Sequence, residues 1–215
     1  MEFKVENGDG IDSWKEVTLV YSAALRQMET KMQILNDEFQ HVHQYNPIEH
    51  IKARIKTPES IVKKLKRYGQ ESTIDNMVKY INDIAGIRII CSFTSDIYRI
   101  ADMIRDQRDI KVIAVKDYIT YPKASGYKSY HMIVSIPVYL SDRTVDTKVE
   151  VQIRTVAMDF WASLDHQLKY KKDIGAAADE ISEDLRQCAE VIAATDQHML
   201  QIRKSIEEQS AKQNK

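Results

Sequence analysis

Cysteine is scarce in this chain, and no apolar run is long enough to cross a membrane. The two cysteines, Cys91 and Cys188, are far apart and lack CxxC or CxxH spacing, so we expect neither a disulfide framework nor a structural zinc site. The first residues, MEFKVENGDG, are acidic and have no apolar segment of the kind found in signal peptides. The sequence also has no internal repeat and no low-complexity segment. These absences predict a soluble, cytoplasmic protein without a membrane partner.

The net charge is also small, but the charges are unevenly distributed. The 215 residues carry a formal net charge of −1, and 43% are hydrophobic, enough for one globular domain with helical additions. Residues 47–67 hold seven Lys or Arg against two Glu, whereas residues 173–208 hold nine acidic residues against three basic ones. This separation predicts a cationic functional surface and, apart from it, an acidic and solvated helix face.

Two long helices are predicted, one toward each end of the chain. Residues 14–42 contain neither Gly nor Pro, and Pro47 ends this segment. Its apolar stripe consists of Leu25, Met28, Met32, Leu35, Phe39 and Val42. The stripe of the second helix consists of Ile181, Leu185, Cys188, Ile192, Thr195, Met199, Ile202 and Ile206. We expect these stripes to pack on the core, on each other or on another subunit, with a mobile tail after about residue 207.

The middle of the chain has the pattern of an α+β fold. Four segments are rich in β-branched residues and partly alternate, which is typical of strands. These segments are 86–93, 110–119, 130–140 and 147–155, and helical patterns occupy 95–109 and 155–171. They predict a mixed β-sheet of about five strands with helices packed on it. In the last of these helices we expect Phe160, Trp161 and Leu164 to lie in the core.

The cationic stretch RIKTPESIVKKLKR, residues 54–67, contains a helix start. Thr57 suits the N-cap, Pro58 the first helical position and Glu59 the positive end of the helix dipole. Helical spacing and strand alternation bring one hydroxyl and four cations together, from Arg54, Lys56, Ser60, Lys64 and Arg67. Such a cluster can bind a polyanion such as a triphosphate, although a solvated basic helix face or a nucleic-acid patch has the same composition.

Two acidic residues lie at predicted strands. Asp83 comes just before the predicted strand 86–93, and Glu150 lies within the predicted strand 147–155. A carboxylate in an apolar strand is costly unless it is paired or binds a metal ion. Next to a polyphosphate site, two such residues would suit magnesium-assisted phosphoryl transfer. For either residue alone, a structural salt bridge to Arg88 or Arg154 is the simpler explanation.

Four motifs, in the order RIKTPESIVKK, DIAGIRIICSF, SGYKSYHMIV and EVQIRTVAMDFWASLDH, resemble the synthetase domain of the RelA/SpoT group. The resemblance runs from about Pro47 to Lys171, and the short chain is similar to the group's small alarmone synthetases. It implies a nucleotidyltransferase-like synthetase domain at 47–172, a helical extension at 1–46, and a C-terminal oligomerisation helix and tail at 173–215. Because the small members are typically homotetramers, a homo-oligomer is expected, most simply a tetramer.

The resemblance also implies an activity, that of a GTP pyrophosphokinase. Such an enzyme transfers the β,γ-pyrophosphate of ATP to the ribose 3′-hydroxyl of GDP or GTP, giving ppGpp or pppGpp and AMP. The sequence has no HD-type metal-binding run like that of the long enzymes' hydrolase domain, so we expect synthesis without degradation. The alternative is a catalytically weak module that binds nucleotides or single-stranded RNA through the same basic face. The choice between GDP and GTP, control by product and regulation by RNA stay open.

Roles toward the donor nucleotide follow from the same resemblance. Arg54 and Arg88 match the two arginines that sandwich adenine, which suits planar guanidinium groups. Asp83 and Glu150 match the Mg²⁺ ligands, and Glu150 is also the expected base for the acceptor 3′-hydroxyl. The positions that would hold the ATP phosphates are Lys56, Ser60, Lys64 and Arg67.

Further positions match residues that bind the acceptor nucleotide. Tyr127 would stack on guanine, Asp159 would accept hydrogen bonds from it, and Gln152 would help to orient the site. The acceptor 5′-phosphates would be bound by Lys123, Lys128 and His131, with Lys128 standing where many relatives have Arg. Taken singly, Tyr127 would be a half-buried sheet aromatic, His131 a core histidine and Asp159 a partner of the helix dipole.

Overall fold

Residues 13–43, 45–170 and 178–213 are described by the structure, a computed structural model. In these ranges the helices are α1 (Trp14–Val42), α2 (Pro58–Arg67), α3 (Ile74–Tyr80), α4 (Thr94–Arg105), α5 (Val156–Tyr170) and α6 (Ala178–Gln213). The strands are β1 (Ile48–Ile55), β2 (Ala85–Cys91), β3 (Lys111–Asp117), β4 (Tyr130–Tyr139) and β5 (Thr144–Thr155). None of the described helices is long and apolar enough to span a membrane. The domain boundary predicted between residues 172 and 173 lies outside the described residues.

The strands form a five-stranded sheet in the order β1-β2-β5-β4-β3. β2 and β5 run parallel, and the other neighbouring strands are antiparallel. In this register Gly86 lies opposite Glu150, and both Arg88 and His131 lie opposite Gln152. The predicted α+β fold with a mixed sheet of about five strands is therefore confirmed.

Alternation along the strands gives the sheet an apolar face and a polar face. The apolar face belongs to one cluster with α1 and α4, and its strand residues include Ile87, Ile89, Met132, Val134, Val149, Val151 and Ile153. Residues i and i+2 of a strand share a face, so the residues between these point the other way. Those residues include Arg88 on β2, His131 on β4, and Glu150 and Gln152 on β5. The polar face therefore carries the candidate functional site.

The helix starts follow the sequence predictions closely. α1 has the predicted bounds, and the Oγ of Ser13 accepts a 3.2 Å hydrogen bond from the backbone N–H of Glu16. Thr57 caps α2 as predicted, because its Oγ1 accepts a bond from the backbone N–H of Ser60. α3 was not predicted, since seven residues are too few for a clear helical period. α6 continues to Gln213, beyond the point where a mobile tail was expected.

α5 buries a different face from the one that the sequence suggested. Trp161 is 4% exposed, and its indole N–H donates a 2.9 Å hydrogen bond to the backbone carbonyl of Leu185 in α6. Phe160 and Leu164, predicted to be core residues, are instead 58% and 40% exposed. That prediction is wrong because Phe160 and Leu164, four residues apart, share a helix face that their own chain does not cover.

α6 packs along α5 and α4. The side chains that it buries against its own chain include Ala189, Asp196 and Leu200. The predicted stripe lies beside this face, and its exposed members are Cys188, Thr195, Met199, Ile202 and Ile206. Much of the predicted α6 stripe is therefore uncovered within a single chain.

Candidate nucleotide site on the polar face of the sheet

Asp83 lies between two lysines of the cationic stretch. Its two carboxylate oxygens accept hydrogen bonds from the ammonium groups of Lys56 and Lys64, each 2.8 Å long. Burial opposes ionisation of Asp83, but the hydrogen bonds and charges of the two lysines outweigh it and lower its pKa. The cationic stretch is therefore partly neutralised by a carboxylate 19 residues beyond Lys64, which makes a merely solvated basic helix a poor description of it.

The remaining predicted phosphate-binding residues lie on the exposed face of α2. The Ser60 hydroxyl accepts a 3.0 Å hydrogen bond from Thr57 at the helix N-cap. The guanidinium carbon of Arg67 lies 5.7 Å from the ring centre of Tyr68, and the Lys64 ammonium lies 5.9 Å from the same centre. The opposite face of α2 buries Ile61, Val62 and Leu65, as helical spacing predicted. The polar side of this helix is thus free to meet an anion near its N-terminus.

Glu150 is the second carboxylate of the site. One of its oxygens accepts a 2.8 Å hydrogen bond from the amide of Gln152, and the other lies 3.5 Å from Nδ1 of His131. Burial raises the pKa of Glu150, but the hydrogen bond and charge of His131 and the bond from Gln152 lower it further than burial raises it. The negative charge of Asp83 acts in the opposite direction. Glu150 is thus ionised and near enough to Asp83 for their charges to interact.

Two aromatic residues and a lysine lie next to Glu150. The hydroxyl of Tyr127 is 2.9 Å from Nε2 of His131 and also accepts a hydrogen bond from Arg154. The ammonium of Lys123 lies 4.6 Å from the ring centre of Tyr127 and 4.7 Å from that of Tyr118. The rings of Tyr118 and His131 pack edge to face at 5.2 Å. His131 is therefore a bridge between Tyr127 and Glu150 and not an isolated core histidine.

Asp159 occupies the first turn of α5, where Thr155 caps the helix by accepting a 3.1 Å bond from the N–H of Met158. One oxygen of Asp159 accepts hydrogen bonds from Arg88 and from Arg154, both 3.2 Å long. The salt bridges that the sequence suggested for Arg88 and Arg154 are thus made with Asp159 and not with Asp83 or Glu150. Asp159 does more than complement the helix dipole, since it joins two strands to α5.

Two neighbouring cavities follow this arrangement. The smaller, about 170 Å³, contains both carboxylates, and its polar lining residues are Lys52, Arg54, Asp83, Arg88, Glu150 and Gln152. The larger, about 720 Å³, is an open cleft bounded by Tyr127, Arg154 and α5. Arg54, Arg88 and Gln152 line both. The polar face thus offers two adjoining spaces, one lined by both carboxylates and one lined by the half-buried ring of Tyr127.

Comparison with known proteins agrees with this geometry. The family described as "Region found in RelA / SpoT proteins" matches residues 53–175, which include both carboxylates and every site residue described above except Lys52. This chain belongs to the RelA/SpoT family. The resemblance predicted from the four sequence motifs is therefore confirmed.

Relatives in the RelA/SpoT family match the chain over nearly its whole length. The GTP pyrophosphokinase YwaC of Bacillus subtilis is 45% identical over 197 residues, 92% of this chain and 93% of YwaC. The crystal structure of small alarmone synthetase 1 from Bacillus subtilis bound to its product pppGpp has a TM-score of 0.82 at 30% identity, covering 90% of this chain and 98% of that one. The same synthetase bound to AMPCPP has a TM-score of 0.75 at 27% identity, covering 91% and 99%.

The carboxylates of this RelA/SpoT chain suit Mg²⁺ better than a metal held by protein alone. Within the described ranges, no group of three or more His, Cys, Asp or Glu is arranged to hold a metal ion. Mg²⁺ prefers oxygen ligands and is commonly bound by one or two carboxylates, waters and substrate phosphates. Asp83 and Glu150 line one cavity and are both ionised, so they fit such an ion when a nucleotide supplies the remaining ligands.

Lys128 lies on the other side of its loop from the cleft that Tyr127 lines. It lines a small cavity with Thr94, Trp161 and Asp196, on the α6 side of the loop, and its positive charge acts on Asp196. Neighbouring Tyr127 instead lines the cleft. Successive residues of an extended chain point to opposite sides, so alternation in the sequence already indicated that Tyr127 and Lys128 would not face the same space.

Two residues of the site were missed by the sequence reasoning. The side chain of Arg154 is only 5% exposed. It donates hydrogen bonds to Ser129, Gln152, Tyr127 and Asp159. Tyr118 forms the second wall beside Lys123. Alternation from Glu150 and Gln152 placed Arg154 on the polar face. Tyr118 lies seven residues before the motif SGYKSYHMIV, and nothing in the sequence indicated that its ring would pack beside Tyr127.

Proposed function

We propose that this chain is a GTP pyrophosphokinase of the small alarmone synthetase type. It transfers the β,γ-pyrophosphate of ATP to the ribose 3′-oxygen of GDP or GTP, giving ppGpp or pppGpp and AMP. The observation that carries the proposal is the shared cavity of Asp83 and Glu150, flanked by cations on one side and by Tyr127 on the other. The pppGpp and AMPCPP complexes of the related synthetase support product and donor sites of this kind.

In this proposal the donor side binds ATP. Arg54 and Arg88, which line both cavities, hold adenine between their guanidinium planes. The phosphates meet Ser60 and Arg67 at the start and exposed face of α2. Lys56 and Lys64 exchange Asp83 for phosphate oxygens, because a triphosphate offers them a larger negative charge than one carboxylate.

The proposed transfer step uses Glu150 as base. Glu150 takes the proton of the 3′-hydroxyl while the 3′-oxygen bonds to the β-phosphorus of ATP. The bond from that phosphorus to the oxygen bridging to the α-phosphate breaks, and AMP leaves. Gln152 and His131 hold the Glu150 carboxylate in place through its two oxygens. Asp83 and Glu150 would together hold Mg²⁺, and the ion would supply positive charge that neutralises the charge developing on the phosphate oxygens.

The acceptor lies in the larger cleft. Its guanine stacks on Tyr127, and Asp159 is the candidate acceptor for the guanine N–H groups, at the edge nearest Arg154. Lys123 and His131 lie beside Tyr127, where they can meet the 5′-phosphates. Lys128 can reach the same phosphates only from the α6 side of the loop, where Lys123 and Lys128 line a common cavity of about 430 Å³.

We also propose that the chain forms a homo-oligomer, most simply a homotetramer, in the cytoplasm, where its nucleotide substrates are. Two apolar stripes support this assembly because their own chain leaves them exposed. The α5 stripe consists of Phe160, Leu164 and Leu168, and the α6 stripe includes Val191, Met199, Ile202 and Ile206. Large exposed apolar patches commonly mark an interaction surface.

The test is a reaction of the purified protein with ATP, Mg²⁺ and either GDP or GTP, followed by separation of the nucleotides. The proposal predicts equal amounts of AMP and of a guanosine nucleotide carrying two additional phosphates at the 3′-position. ADP as the product, or binding of RNA without any turnover, would favour another function. Incubation of isolated ppGpp with the protein should leave it intact, because synthesis without hydrolysis is proposed.

A further inference from the structure

Two cations lie against the ring of Tyr127. The Lys123 ammonium lies 4.6 Å and the Arg154 guanidinium carbon 5.0 Å from the ring centre. Atoms in van der Waals contact are about 3.5–4.0 Å apart, so a stacked base fills the layer in which these cations lie. A nucleotide base therefore cannot stack on a side of Tyr127 that carries one of these cations without moving it.

Arg154 is the neighbour that stays. Its buried guanidinium donates to Ser129, Gln152, Asp159 and the hydroxyl of Tyr127. Displacing it would leave a buried cation without partners and would leave Arg88 as the one arginine bonded to Asp159, which is a large penalty.

Lys123 is the neighbour that can move. Its ammonium forms no side-chain hydrogen bond or salt bridge with any residue in the described part of the chain, and it is held only by the rings of Tyr118 and Tyr127. The two rings are inclined by 69° with their centres 6.0 Å apart, so the ammonium lies in the corner between them. Burial and the charges of Lys116 and Arg154 lower the pKa of Lys123, while Glu150 raises it. An incoming phosphate would therefore stabilise this ammonium more than the aromatic corner does.

We propose that Lys123 is a displaceable plug, held against Tyr127 by Tyr118, which guanine expels and which then binds the acceptor's 5′-phosphates. The proposal rests on the proposed function, in which Tyr127 stacks on the acceptor base. It makes Tyr118 a positioning residue and Lys123 a determinant of specificity. Guanosine must displace the ammonium from the rings but has no phosphate to bind it. GDP or GTP displaces the same ammonium and then binds it through the 5′-phosphates. The plug thus favours phosphorylated acceptors over guanosine by more than the phosphate contact alone.

The proposal predicts that Lys123→Ala changes the affinities for GDP and for guanosine in opposite directions. Affinities for guanosine and for GDP are measured by ligand-observed NMR titration, with AMPCPP present to occupy the donor site. Lys123→Ala should weaken GDP binding by about tenfold or more, because a charged contact is lost. The same variant should bind guanosine roughly two- to fivefold more tightly, because the cation–π contact no longer has to be broken. Tyr118→Leu should also tighten guanosine binding, since it removes one wall of the corner.

Lys116→Ala is the matched control, because it removes a nearby positive charge that does not lie against either ring. It should weaken GDP binding slightly and leave guanosine binding unchanged. Guanosine affinity that stays equal or falls in Lys123→Ala would overturn the plug, and so would unchanged GDP affinity. A separate variant, Tyr127→Ala, tests the underlying site: if it changes neither affinity, the stacking role in the proposed function fails as well.

Discussion

Arg88 donates a 3.2 Å hydrogen bond to Asp159 and so joins the residue expected to hold adenine to the one expected to recognise guanine. The same carboxylate accepts a second 3.2 Å bond from Arg154, which also contacts Tyr127. One carboxylate therefore organises a cation on the donor side and a cation on the acceptor side. Loss of Asp159 should therefore affect ATP binding as well as guanine recognition.

Asp159→Ala should raise KM for both nucleotides and lower stability. Arg88 and Arg154 lose a partly buried partner, and hydrogen bonds to charged groups contribute roughly 1.5–3 kcal/mol. If Asp159 also accepts from guanine, the preference for guanosine over inosine acceptors should narrow, since inosine lacks the N2 amine. Steady-state kinetics with each nucleotide varied in turn, and urea unfolding, measure these effects.

Asp109→Ala is the control for Asp159→Ala, because Asp109 forms an exposed salt bridge with Lys31 away from the polar face. Its effect on stability should be within about 1 kcal/mol, with both KM values unchanged. Reduced stability of Asp159→Ala with unaltered KM values would leave Asp159 a structural ion-pair partner, and its role in guanine recognition would be lost.

Gly126→Ala should raise the acceptor KM with little change in the ATP KM. Gly126 has a φ of +84°, and an added Cβ would lie 2.5 Å from the Cβ of Ala189 on α6. The substitution therefore displaces the loop that carries Tyr127. Gly69→Ala is a control with similar backbone strain, because its φ is +69° and nothing lies within 4 Å of the new Cβ. Equal acceptor KM values in the two variants would mean that contact with α6 does not shape the acceptor site.

Adding Ala189→Gly to Gly126→Ala should restore part of the acceptor affinity. The second substitution removes the atom that the new Cβ meets, while the strain of a positive φ, about 1 kcal/mol, stays. A double variant no better than Gly126→Ala would assign the whole effect to the backbone strain.

Asp196→Asn should reduce the dependence of stability on pH. Burial raises the pKa of Asp196, although Thr155, Thr94 and Lys128 act to lower it. A carboxyl group with a raised folded-state pKa favours folding most below its unfolded pKa, and that contribution is lost as the pH rises through the folded pKa. As the pH rises above about 4, the free energy of unfolding of the original chain should thus fall relative to that of the variant. Parallel curves for the two proteins in urea unfolding would contradict this.

Ile202→Glu should dissociate the proposed oligomer, because Ile202 belongs to the exposed α6 stripe. Ile192, a position that the sequence also suggested, lines a cavity within its own chain and is a less specific site for the test. Gln201→Glu adds the same charge next to the stripe and should keep the assembly. Light scattering at micromolar concentration measures the mass, and a monomer of 24.9 kDa for the original chain would contradict the assembly itself.

Local patterns predicted much of the site. Thr57 and Pro58 marked the start of α2, and alternation in β5 put Glu150 and Gln152 on the same face of the sheet. These features depend on neighbours in the chain, so short-range rules are sufficient. The motifs then added the family and with it the roles of distant residues.

Features that depend on tertiary register were not predictable in this way. Asp159 pairs with Arg88, 71 residues away, because β2 and β5 are parallel neighbours and α5 begins where β5 ends. Exposure of Phe160 and Leu164 was missed because an apolar helix face shows only that it will be covered, not whether its own chain covers it. The Lys123 plug requires Tyr118, which no motif contains.

In the proposed pyrophosphate transfer, Glu150 accepts the proton of the acceptor hydroxyl. The most direct measurement compares the turnover of the original chain and of Glu150→Gln, with AMP and the 3′-pyrophosphorylated guanosine nucleotide quantified together at saturating ATP, Mg²⁺ and GDP. Glu150→Gln keeps the size of the side chain and its place beside Gln152, so the fold should survive, as a melting curve can verify. The account predicts that kcat falls by about 10²-fold or more, with both products decreasing in step. Near-original turnover by folded Glu150→Gln would contradict it.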